Sequence, residues 1–261
     1  MPPSIPSPTI HIEPIPLTEK SFLQFGTLIQ NPTHNPSDPT TNRVVSANQG
    51  SALKYIDITH ITNSYPLAPS KQDAKPVMNM FVSSPRKLRQ QSGEAVFDVK
   101  IMERHPYTPQ TFIPLGLPKD SKTKYLVVVA PTLPHPDSST QNPPPNLSSF
   151  TNSSPTLSKT QLQIQQLSHP SSPTPTTNPW PRGPGLPDLT KITAFIANGS
   201  QAITYGAGTW HAPMVVLGND HVDFVVVQWA NGVPLEDCQE IVLQGGEVTV
   251  GLGDAALKAK L

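Results

Sequence analysis

Charge is scarce in this sequence. Asp, Glu, Lys and Arg make up 14% of the 261 residues, against about 25% in an average soluble domain. The 18 basic and 18 acidic side chains cancel. No surface of one sign is forced, so neither nucleic acid nor an anionic membrane is favoured as a partner. Cysteine is almost absent. Cys238 stands alone, so no intrachain disulfide can form, which fits a reducing compartment. The residue reads as a small buried side chain rather than a nucleophile. Long apolar runs are missing as well. Nothing approaches the ~20 residues that cross a bilayer. The opening "MPPSIPSPTIHIEP" lacks both the basic start and the apolar centre of a secretory signal. The expected location is the cytoplasm. The alternative is the peroxisome, because Ala259-Lys260-Leu261 approaches the small-basic-leucine import address.

Proline is what the chain has in excess, with 33 residues against a usual share of about 5%. Much of it falls in residues 132–187, a stretch dominated by Pro, Ser, Thr and Asn. Its few apolar residues keep no period, so it cannot bury enough surface to offset its conformational entropy. It is expected to be a disordered insertion within a single domain spanning residues 1–261. Polar, proline-rich gaps also cover residues 31–41 and 68–75. Most of the rest reads as strand: "ALKYIDI" (52–58), "VMNMFVS" (77–83), "AVFDVKIME" (95–103), "KYLVVVA" (124–130), "MVVL" (214–217), "DFVVVQW" (223–229) and "GEVTV" (246–250). Two helices are expected. "TEKSFLQFG" begins at Thr18 and stops at Gly26. "DLTKITAFIANG" begins at Asp188, buries Leu189, Ile192, Phe195 and Ile196, and stops at Gly199. Many strands and few helices predict a mainly-β sandwich or barrel. Roughly 200 residues outside the insertion suffice for one core.

The chemistry concentrates in two places. In "AVFDVKIMERHPYTPQTFIPLG" (95–116) the alternation of a strand puts Ala95, Phe97, Val99 and Ile101 on one apolar face and carries Glu103 and His105 onto it. Arg104 should point the other way. A buried charge needs a partner, a metal or a function. Gln110 follows at the head of the next strand. Later comes "YGAGTWHAPMVVLG" (205–218), where His211 sits beside Trp210. The spacings Glu-x-His-x4-Gln and Gly-x-Gly-x-x-His resemble the two halves of the cupin metal site. Glu103 stands where that site has its first histidine, Gln110 where it has glutamate, and Gly206 where it has proline. Gln110 is a weak neutral ligand, so the site is expected either to need no metal or to hold a divalent ion loosely through Glu103, His105, Gln110 and His211.

Longer segments narrow the resemblance. "NQGSALKY" (48–55), "MERHPYTPQTFIPLG", "KYLVVVAP", "PDLTKITAFIANGSQAITYGAGTWHAPMVVLG" and "VDFVVVQ" are similar to the ureidoglycolate lyase family, also called ureidoglycolate hydrolase, over most of the chain outside the insertion. The resemblance implies a cupin-like, double-stranded β-helix barrel, a homodimer, and conversion of (S)-ureidoglycolate to glyoxylate and urea in allantoin breakdown. Losing urea takes a proton from the hydroxyl and gives one to the departing nitrogen, so a general base and a general acid suffice and no cofactor is required. Glu103, His105 and His211 are expected to handle the protons, in an order the sequence leaves open. Gln110 is expected to hold the hydroxyl or carboxylate. Tyr205 and Trp210 would wall the pocket, and Asn48 would reach the ureido group. Each residue also has a plainer reading: His211 and Trp210 as packing, Glu103 as a surface ion pair, Gln110 as a turn residue. His11, His34, His60 and His221 have no supporting neighbours and read as surface or structural. Two other functions stay open: a different cupin enzyme, such as a metal-dependent dioxygenase or an isomerase, and a non-catalytic cupin that binds a small acid.

Overall fold

The computed structural model describes residues 2–34, 43–133 and 185–253. Its organisation follows from the run "KYLVVVA", which forms the strand Lys124–Ala130 and is buried from Tyr125 onward. An apolar run without alternation is stable in a sheet covered on both sides. Leu126, Val128 and Ala130 enter one core, while Tyr125, Val127 and Val129 enter a second core on the opposite face. Each such side chain contributes about 1.5–3 kcal/mol relative to exposure. The strand lies inside an eight-stranded sheet. It runs antiparallel to Thr193–Ala197 on one side, and to Trp210–His211 and Val215–Leu217 on the other.

A four-stranded sheet, ordered Ile10–Ile12, Val248–Gly251, Glu94–Asp98, Arg89–Gln91, covers the first core. A five-stranded antiparallel sheet covers the second, ordered Gly26–Gln30, Gln201–Tyr205, Gln110–Leu115, Val222–Ala230, Lys75–Ser83. Val44–Ala47 and Ala52–Tyr55 form a separate hairpin. The fold is mainly β and cupin-like, as expected.

Three local expectations need correction. The first helix is shorter than its pattern: Thr18 caps Glu19–Phe22, its Oγ1 accepting the Ser21 N–H at 3.1 Å. Gly26 opens a strand instead of closing the helix. A Cβ there would lie 1.9 Å from the Thr204 carbonyl oxygen, so only glycine allows the strands to approach. The second helix is absent. Asp188 does cap, accepting from Thr190 N–H, but only the single 3-10 turn Leu189–Lys191 follows, and Thr193–Ala197 is a strand. Ala194 packs into the first core and Phe195 and Ala197 into the second. A strand buried on both faces satisfies a helical spacing equally well, and the β-branched and aromatic residues tip the choice. Finally, residues 95–103 are not one strand. Glu94–Asp98 and Ile101–Arg104 belong to different sheets. The break leaves Ile101 38% exposed and Met102 fully buried, so the face of Phe97 and Val99 continues through Met102 and not through Ile101.

Residues 134–184 of the expected insertion lie outside the described residues, as does Ala259-Lys260-Leu261. The two ends of the expected insertion pair with each other, Leu133 N–H donating to the Leu186 carbonyl at 2.8 Å, and its flanks are joined by Asp188 N–H donating to the Pro131 carbonyl at 2.7 Å. Among the described residues no helix is long and apolar enough to cross a membrane.

Candidate active site

The two motifs singled out in the sequence meet at one sheet. Ile101–Arg104 pairs antiparallel with Trp210–His211, and Glu103 sits directly opposite His211. Opposed residues share a face. A turn reinforces the junction: Gly208 N–H donates to the His105 carbonyl at 2.8 Å. Gly208 has φ +78°, a conformation glycine adopts without a side-chain clash. Thr209 Oγ1 and Gly206 N–H both donate to the Phe25 carbonyl, at 2.9 and 2.8 Å, fastening the turn to the N-terminal segment.

Both histidines are oriented by backbone. His105 Nδ1–H donates to the Asp237 carbonyl at 2.6 Å, and His211 Nδ1–H donates to the Thr209 carbonyl at 2.9 Å. A carbonyl only accepts, so the proton is assigned to Nδ1 in each ring and the Nε2 lone pair is free. The ring centroids lie 5.6 Å apart. Tyr205 stacks on His211 at 3.9 Å, with 11° between the planes. His211 Nε2 lies 3.5 Å from Glu103 Oε1, an ion-pair distance beyond a well-formed hydrogen bond. His105 Nε2, His211 Nε2, the Tyr205 hydroxyl and Gln110 Oε1 are all buried without a hydrogen-bond partner. Each such atom costs about 1–3 kcal/mol. The three rings adjoin one another and Gln110 is paired opposite Tyr205; unpartnered atoms on such adjoining residues are what a site for a polar ligand leaves behind.

Burial drives the electrostatics. It pushes the Glu103 carboxyl up, but His211 and then His105 outweigh it and hold the group below its ordinary 4.5. Burial, then the neighbouring His211, pushes His105 down to about 4, so it is neutral at pH 7. Burial raises the Tyr205 hydroxyl well above its ordinary value, keeping it a donor. Cys238 Sγ lies 4.0 Å from Glu103 Oε2. Its thiol is pushed up to about 12 by burial and then by Glu103, which makes it a poor nucleophile.

The remaining expected residues divide. Gln110 faces the site's wall: it pairs opposite Tyr205, and its Nε2–H donates to Gln228 Oε1 at 2.7 Å. Trp210 does not wall the pocket. Alternation turns it away from His211 into the first core, fully buried, with its indole N–H donating to the Gly185 carbonyl at 3.1 Å. Arg104 shares that face, its guanidinium 4.7 Å from the Trp210 ring centroid. Asn48 is exposed in the tight turn of the hairpin, with φ 50°, and no described contact joins it to the cluster. His11 has neighbours that its sequence context hid: Nδ1 lies 3.0 Å from Thr249 Oγ1, and Nε2 lies 3.2 Å from Glu13 and 3.4 Å from Glu94. The carbonyls of Thr209 and Asp237 carry no side-chain signal, so sequence reading missed both.

Glu103, His105 and His211 each present a ligand atom, all within 4.8 Å of one another. Two imidazole lone pairs with anchored Nδ1–H groups and one carboxylate fit a divalent transition-metal ion.

A sequence model for the family described as ureidoglycolate lyase matches residues 9–250. The ureidoglycolate lyase of Schizosaccharomyces pombe is 30% identical over 223 residues, covering 85% of this chain and 86% of that protein. That of Saccharomyces cerevisiae is 30% identical over 248 residues, covering 90% and 95%. That of Burkholderia mallei is 25% identical over 219 residues, covering 84% and 81%.

Proposed function

The chain belongs to the ureidoglycolate lyase family, and from that premise we infer that it eliminates urea from (S)-ureidoglycolate and leaves glyoxylate. The observation that carries the chemistry is the pair of buried, unpartnered imidazole Nε2 atoms beside an acidic side chain. The substrate's hydroxyl and ureido nitrogen share one carbon. His211 Nε2 takes the hydroxyl proton, and Glu103 at 3.5 Å stabilises the imidazolium that forms. The oxygen's electron pair becomes the carbonyl bond, the C–N bond breaks toward nitrogen, and the same proton completes the departing urea. His105, held neutral, accepts a hydrogen bond from the substrate at Nε2. The Tyr205 hydroxyl donates and Gln110 Oε1 accepts, fixing the substrate's orientation.

Glu103, His105 and His211 would also hold a divalent ion, which would polarise the hydroxyl and clamp the substrate carboxylate. A homodimer belongs to the same proposal. It is supported by the outer face of the five-stranded sheet, where Met78, Met80, Val82, Ile113 and Leu115 are exposed. A cytoplasmic location, with the peroxisome as the alternative, is also proposed, and imaging of the tagged chain with and without residues 259–261 tests it.

The direct test of function is incubation with racemic ureidoglycolate, with and without chelator. Urea and glyoxylate in equal amounts, with half the racemate consumed, is the expected result. Ammonia and carbon dioxide as products would overturn the lyase assignment. Loss of turnover on chelation, restored by a divalent ion, would assign the three ligands to a metal.

A further inference from the structure

A buried polar cluster behind His105 takes no direct part in these proton transfers, yet it touches every residue of the strand end that carries them. Three successive residues meet three successive residues. The Asp237 carbonyl accepts His105 Nδ1–H at 2.6 Å, Cys238 Sγ lies 4.0 Å from Glu103 Oε2, and Gln239 Oε1 accepts Arg104 Nε–H at 2.9 Å. The segment that supplies them is held from behind. Asp237 Oδ1 accepts the Tyr65 hydroxyl proton at 2.6 Å and the Asn231 N–H at 2.8 Å, and Oδ2 accepts the Gly232 N–H at 2.8 Å. Glu236 beside it accepts from Ser70 N–H at 2.8 Å, Ser70 Oγ–H at 2.6 Å and Asn231 Nδ2–H at 2.7 Å. A carboxylate held by several donors has little freedom to turn, and neither does the peptide that bears it.

Tyr65 ties this loop to the segment that follows His105. Its ring is buried against Tyr107, with centroids 5.7 Å apart, and Ser64 N–H donates to the Tyr107 carbonyl at 2.9 Å. Its hydroxyl also reaches the Trp229 carbonyl at 3.2 Å. Burial, and then Asp237, push that hydroxyl above its ordinary value, so it stays a donor. We propose that Asp237 and Tyr65 are positioning residues for the reaction: the Tyr65–Asp237 hydrogen bond sets the Asp237 carbonyl so that His105 keeps its proton on Nδ1 and turns an Nε2 lone pair to the substrate. This rests on the reading of His105 as a group that contacts substrate. Without the pin the carboxylate keeps only the Asn231 and Gly232 N–H groups, and the peptide keeps its Cys238 N–H bond to the Pro234 carbonyl at 2.8 Å; the carbonyl is held less tightly, and the Nε2–H tautomer, which offers no lone pair at that point, gains population.

Tyr65→Phe removes one oxygen atom from the clamp, and Asp237→Asn removes one acceptor and leaves the shape. Two readouts are needed: the His105 tautomer from imidazole 15N shifts of the full chain, and kcat separately from KM. The unmodified protein should show Nδ1–H. Tyr65→Phe should show a mixture of tautomers and a kcat about 10- to 100-fold lower, with KM within about twofold. Asp237→Asn should retain more kcat than Asp237→Ala. An unchanged tautomer in both Tyr65→Phe and Asp237→Asn would overturn the proposal. A mixed tautomer with unchanged kcat would also overturn it, and would locate the fault in the role given to His105 and not in the geometry behind it.

Discussion

The short ladder between residues 101–104 and 210–211 has two faces, and they treat buried polar groups in opposite ways. On one face Arg104 donates from Nε to Gln239 and from Nη1 to the Gly185 carbonyl at 3.0 Å, and its plane covers Trp210, whose indole N–H is also used. On the other face Glu103 and His211 approach without a good hydrogen bond, and both histidines leave Nε2 unpartnered. Burial is nearly the same on the two sides; satisfaction is not. A buried polar group that has its partners stabilises the fold, whereas one that lacks them is costly unless a ligand supplies the missing atom. The same short ladder therefore carries both a structural layer and a reactive one.

This contrast can be broken most directly at His211. His211→Asn should lower kcat for glyoxylate release by at least about 100-fold, while the melting temperature moves by only a few degrees. Near-normal turnover would remove the difference between the faces. Trp210→Phe tests the other side. It removes one of the two donors to the Gly185 carbonyl, Arg104 Nη1 keeping the other, and shrinks a packed ring, so denaturant titration should show a loss of about 1–3 kcal/mol, with kcat within about threefold of the unmodified protein. A large fall in kcat with unchanged stability would return Trp210 to the pocket. The smallest effect is expected at Asp188, which caps the turn that sends Leu189 into the core behind Trp210. Its hydrogen bond to Thr190, and then Lys191, hold the carboxyl below its ordinary 3.8. A carboxyl lowered on folding stabilises above its unfolded value and loses that contribution as pH falls through its folded one. The melting-temperature gap between the unmodified protein and Asp188→Ala should therefore be full above about pH 4 and shrink below it. A gap that stays constant into acid would mean the cap acts without its charge.

Much of the layering was legible in the sequence. "KYLVVVA" is apolar at six successive positions after Lys124, and its three valines favour a strand covered on both sides. Glu103, His105 and His211 were legible through their spacing and their place in long family-like segments. The alternation that first put Glu103 and His105 on one face was a poor guide, because the strand breaks between Asp98 and Ile101. Thr193–Ala197 was misread because burial on two faces erases the difference between a helical and a strand period. Tyr205 and Trp210 looked alike as aromatic neighbours of a histidine, yet one stacks on His211 and the other turns into the opposite core.

Composition and turn residues sufficed for the β class, and the resemblance carried along several long segments sufficed for the family, since each is read from residues that are neighbours in the chain. Which nitrogen of each histidine is left without a partner did not follow from any such pattern. That choice belongs to the carbonyls of Thr209 and Asp237, the second of them 132 residues from the ring it holds. Main-chain acceptors are the same in every residue type, so they acquire a role only when folding carries them to a particular place.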